Sequence, residues 1–70
     1  MTEPSFAVIV NGEVRQICGP SVAEVIEGLG LPATTVLVEH NGEALRRSEW
    51  KDRTVREGDR FEILRVAAGG

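Results

Sequence analysis

Gly69 and Gly70 stand directly after the strand-like run Phe61-Glu62-Ile63-Leu64-Arg65-Val66-Ala67-Ala68. Glycine has no side chain, so two in a row make a thin, flexible tip. That tip bears an α-carboxylate and can thread a channel that a larger residue would block. A tail ending in the group to be activated points to the terminus itself as the substrate. A chance pair of glycines, or a cloning remnant, is the plain alternative.

The other reactive side chains offer little. His40 is the single histidine, at a predicted strand end, where solvent contact or a hydrogen bond is the ordinary role. Cys18 is the single cysteine and ends a predicted strand beside Gly19. No basic residue adjoins it to make a reactive thiolate, so a structural role is favoured. One Cys and one His do not make a metal set, so no metal site is expected. Neither Asn11-Gly12 nor Asn41-Gly42 belongs to a phosphate-binding loop pattern. The carboxylates are scattered along a solvated face. Arg46, Arg47, Lys51, Arg53 and Arg56 are interleaved with Glu49 and Asp52 and read as solvated surface, with contact to a partner as the minor reading. Trp50 reads as a plug holding its loop on the core, with an interface anchor as the alternative. No catalytic residue is assigned.

The 70 residues make one small domain that buries only about 60% of its unfolded surface. Apolar residues are 41% and charged residues 27%, as in soluble globular proteins. A net charge of −3 argues against nucleic acid as a main partner. A single thiol permits no internal disulfide and suits a reducing cytoplasm. No apolar run approaches the roughly 20 residues that span a membrane. Met1-Thr2-Glu3-Pro4-Ser5 has neither the basic start nor the apolar core of a signal peptide.

The elements that must position the tail follow from local pattern. Residues 6–10 read as a β-branched strand, and Asn11-Gly12 is a strong hairpin signal. Residues 13–18 return, and Gly19-Pro20 ends the strand. Ser21 and Glu24 have capping-box spacing. Val22, Val25, Ile26 and Leu29 form one apolar stripe of a two-turn helix. Gly28 or Gly30 supplies the stop before Pro32. Residues 35–40 read as a third strand, and Asn41-Gly42 as another turn. Residues 44–53 lack a clean period and read as loop with one helical turn near Trp50. Residues 54–55 read as a short strand, 57–59 as a turn and 61–67 as the last strand. This α+β order is that of the ubiquitin-like β-grasp fold: one main helix packed on a small mixed sheet, with first and last strands parallel in the middle. The domain then spans 1–66 and the flexible tail 67–70.

Alternation in the last strand places Phe61 and Ile63 toward the helix, and Leu64 and Val66 on the opposite, helix-free face. Beside the tail, Leu64 and Val66 read as a docking patch, with burial on both faces as the alternative.

The run from Glu57 to Gly70 resembles the ending of the ThiS family, the sulfur carriers of thiamin biosynthesis. Val10-Asn11-Gly12-Glu13, Ser21-Val22-Ala23-Glu24-Val25-Ile26, Val36-Leu37-Val38-Glu39, Asn41-Gly42-Glu43 and Arg47-Ser48-Glu49-Trp50 extend the likeness over nearly the whole chain. The segment Met1 to Ser5 and the Ala67-Ala68 pair are mild departures. The resemblance implies a carrier that is not itself an enzyme and holds no permanent cofactor. A ThiF-type adenylating enzyme would use ATP and Mg to convert the Gly70 carboxylate to an acyl-adenylate. Sulfur from a cysteine desulfurase or another donor would then give a thiocarboxylate for thiazole synthase. Gly70 and Gly69 are thus the implied adenylation and thiocarboxylate site, and Leu64, Val66, Ala67 and Ala68 the implied partner interface. From Ala67 the four-residue tail reaches about 13 Å when extended. Carriers of this fold serving molybdopterin, tRNA thiolation or cysteine synthesis, and a ubiquitin-like protein modifier, are the alternatives.

Overall fold

The computed structural model describes residues 5–66. Ser5–Val10 (β1) and Glu13–Cys18 (β2) form an antiparallel hairpin, with Val10 opposite Glu13 at its closed end. Asn11 and Gly12 adopt φ of 50° and 85°, the left-handed pair that a type I′ turn requires.

Helix α1 spans Val22–Gly28, with Ser21 as its N-cap. The Glu24 N–H donates to Ser21 Oγ at 3.3 Å, as the capping spacing predicts. The reciprocal arm differs. Glu24 Oε1 accepts from the Ser21 hydroxyl at 3.1 Å, whereas the sequence pattern predicts the Ser21 backbone N–H as donor. The Glu24 side chain lies across Gly19, in space that a Cβ would occupy. Of the two candidate stops, Gly30 is the left-handed one, at φ 74°. Its N–H donates to Glu27 O and that of Leu31 to Ile26 O, the two bonds of a Schellman end.

Thr35 departs from expectation. It belongs to a 3₁₀ turn, Ala33–Thr35, because its N–H and its hydroxyl both donate to Pro32 O. Strand β3 is therefore Val36–His40. After Asn41-Gly42, Glu43–Leu45 forms β4, an edge strand where the sequence suggests loop. The predicted turn near Trp50 is a 3₁₀ helix over Arg47–Asp52. Thr54 makes only an isolated bridge to Ser21, so no strand forms at 54–55. Strand β5, Arg60–Arg65, begins one residue earlier than predicted and ends before residue 66.

The sheet order is β2-β1-β5-β3-β4. β5 lies at its centre, parallel to β1 and antiparallel to β3. The inward residues of the strands meet the helix stripe: Val8, Val22, Val25, Ile26 and Phe61 are almost wholly buried. Each such side chain contributes about 1.5–3 kcal/mol of burial. Trp50 closes the core from the 3₁₀ segment and is buried as predicted; Leu29 is only partly buried against the same cluster. No helix among the described residues is long and apolar enough to cross a membrane.

Candidate functional site

The site is built on β5, because this strand leads to the glycines. Its alternation is as predicted: Phe61 and Ile63 enter the core, and Leu64 points away from it, 64% exposed. Val66 follows at 42% exposure, so the expectation of a helix-free apolar patch holds and burial on both faces does not. The Val66 N–H donates to Thr35 O at 2.8 Å, so the 3₁₀ turn before β3 holds the chain one residue beyond β5. Ala67, Ala68, Gly69 and Gly70 lie outside the described residues.

Sequence reasoning missed half of the patch. Leu37 of β3 stands directly opposite Leu64 and is 57% exposed. Ala44 of β4 is exposed one strand further out, opposite Glu39. Together with Glu39, Glu62 and Leu64 they line a hollow of about 250 Å³. The alternation Val36-in, Leu37-out, Val38-in carries the signal, but only the β3–β5 register shows which residues meet.

Two asparagines hold β5 in place. The Asn11 side chain copies a peptide unit: Nδ2 donates to Ile63 O at 3.1 Å, and Oδ1 accepts from Ile63 N–H at 2.8 Å. Asn41 Oδ1 accepts from Arg60 N–H at 2.8 Å at the other end of the strand. Asp59 fixes the preceding turn. Its Oδ2 accepts from the Arg56 N–H and from His40 Nε2, the latter at 2.7 Å, and Oδ1 accepts from Asn41 Nδ2. An ionised carboxylate can only accept, so His40 carries its proton on Nε2. Partial burial disfavours the charged form of Asp59. The hydrogen bonds from His40, Arg56 and Asn41 outweigh it and hold the carboxyl below its ordinary range.

His40 is thus buried and hydrogen-bonded, stacked on Phe61 with ring centroids 4.9 Å apart. Cys18 is exposed at the end of β2, which β1 separates from β5. The basic segment is solvated surface; Arg53 pairs with Glu43 through two hydrogen bonds of 3.0 and 2.9 Å, tying the 3₁₀ segment to β4. Among the described residues no three His, Cys, Asp or Glu side chains could share a metal ion. The structure therefore brings together a centrally clamped strand and, on its helix-free side, a hollow lined by Leu37, Ala44 and Leu64 with Glu39 and Glu62.

The family model of ThiS matches residues 8–70. The sulfur carrier protein ThiS of Thermus thermophilus is 38% identical over 63 residues, 90% of this chain and 98% of that protein. A thiazole synthase of Paramagnetospirillum magneticum is 33% identical over 64 residues, which make up only 20% of its length. The crystal structure of the thiamine biosynthesis protein ThiS from Geobacter metallireducens aligns with a TM-score of 0.77 at 35% identity, over 93% of this chain and all of that one. Its solution structure aligns with a TM-score of 0.74. With element order, central β5 and sequence agreeing over this span, the chain belongs to the ThiS family.

Proposed function

We propose that this chain carries sulfur for thiazole formation in thiamin biosynthesis, on the carboxylate of Gly70. The observation that supports it most is the likeness to a sulfur carrier over 98% of that carrier's length. The thiazole synthase that contains a similar segment within a longer chain supports the destination of the sulfur.

The chemistry follows from the poor electrophilicity of a carboxylate. In a ThiF-type adenylating enzyme, a Gly70 oxygen attacks the α-phosphorus of ATP and pyrophosphate leaves; Mg and the nucleotide are held by that enzyme. The terminal sulfur of a donor persulfide then attacks the acyl carbon, and AMP leaves. A thiol cleaves the resulting S–S bond, releasing the thiocarboxylate. Gly69 lets the backbone approach closely, while Ala67 and Ala68 lengthen the tail and Leu64 and Val66 dock the body outside. This chain supplies the acyl end and the partner supplies catalysis.

The test is intact mass after incubation with a ThiF-type enzyme, ATP and a persulfide donor. An oxygen-to-sulfur gain at the C-terminus is expected. No gain, or an equal gain after removal of Gly70, overturns the reading. A deletion strain that requires thiazole, not molybdopterin, identifies the pathway.

A further inference from the structure

Beside the two leucines, the open face holds a second feature. In the β3–β5 register, Glu39 stands directly opposite Glu62, and both are exposed. Side chains so placed have Cβ atoms about 5 Å apart, and like charges there are destabilising. None of the ion pairs among the described residues involves either carboxylate. The pair borders the hollow lined by Leu37, Ala44 and Leu64, and also a second hollow lined by Asn41, Gly42 and Arg60.

Two adjacent carboxylates, set between the apolar hollow and the polar one that Arg60 lines, indicate the charge of what covers the face. We propose that the Glu39–Glu62 pair is the specificity element of this face, and that it receives an arginine side chain of the activating enzyme. The inference rests on reading the face as that enzyme's docking surface. A guanidinium suits the place better than an ammonium. Its planar fork can donate to both carboxylates, and its weakly hydrated faces lie against Leu37, Ala44 and Leu64 at little cost. Leucines alone would leave the carrier free to turn on its partner. A charge contact off the leucine axis fixes the rotation, and so aims the end of β5. Such contacts set register and on-rate more than raw affinity.

The experiment measures pyrophosphate release by a ThiF-type enzyme and ATP across a range of NaCl concentrations, with the intact chain as substrate. For Glu39→Gln/Glu62→Gln, the KM for the carrier is expected to rise about tenfold while kcat holds. The decline of kcat/KM with salt should flatten. A double variant with the KM and salt response of wild type overturns the proposal. So does sedimentation showing a wild-type dimer that Leu64→Ser dissolves, since a second copy is then the occupant. A wild-type chain that releases no pyrophosphate, or releases it equally without Gly70, overturns the functional reading itself, and the arginine contact falls with it.

Discussion

Asp59 is a small acceptor with three jobs, and its loss should be felt at each. Asp59→Ala leaves buried His40 Nε2 without its acceptor and unties Arg56 and Asn41. We expect a cost of about 2–3 kcal/mol, read as a lower urea midpoint. The acid response has a definite sign. The folded carboxyl titrates below the unfolded one, so its stabilisation is complete above the ordinary carboxylate range. It is lost as pH falls from there through the depressed value. Asp59→Asn should flatten that acid limb in a series of melts below about pH 4. Neighbours on β5 separate structure from docking. Ile63→Ala empties a core position and should cost about 2–5 kcal/mol. Leu64→Ser, on the exposed side, should change stability by about 0.5 kcal/mol or less while raising the KM for the carrier in the adenylation assay.

At the level of elements, the helix ends carry measurable weight. Ser21→Ala removes the acceptor for Glu24 N–H and should destabilise by about 1 kcal/mol, a loss of about 4–8 °C in Tm. Asn11→Gly keeps the left-handed φ and deletes the two bonds to Ile63, and it should lower the urea midpoint, with the added backbone freedom of glycine contributing part of the loss. The same elements show what a sequence can disclose. The α1 cap and stripe, both Asn-Gly turns and the inward pair Phe61 and Ile63 are legible because each is written within a few residues. β4 is not: Glu43, Ala44 and Leu45 are too few to show a period, and the strand exists because β3 offers an edge. Thr35 looks like a strand former until its hydroxyl turns back to Pro32. Half of the helix-free face was legible for the same reason, Leu64 from its own alternation; Leu37, Glu39 and Ala44 join it only through register between strands.

At the scale of the whole molecule, the buried cluster of the described residues runs from Val8 to Ile63. Removing Gly70 should therefore leave the urea midpoint unchanged while abolishing thiocarboxylate formation by intact mass. The sheet order carries a further consequence. β5 is inserted between β1 and β3: its pairing with β1 joins residues 51 positions apart, and its pairing with β3 joins residues 21 to 29 apart. The Leu37–Leu64 face exists only where β3 and β5 are paired. On the proposed docking, the activating enzyme would meet this face only on chains whose β3 and β5 have paired, so that ATP would be spent on those alone.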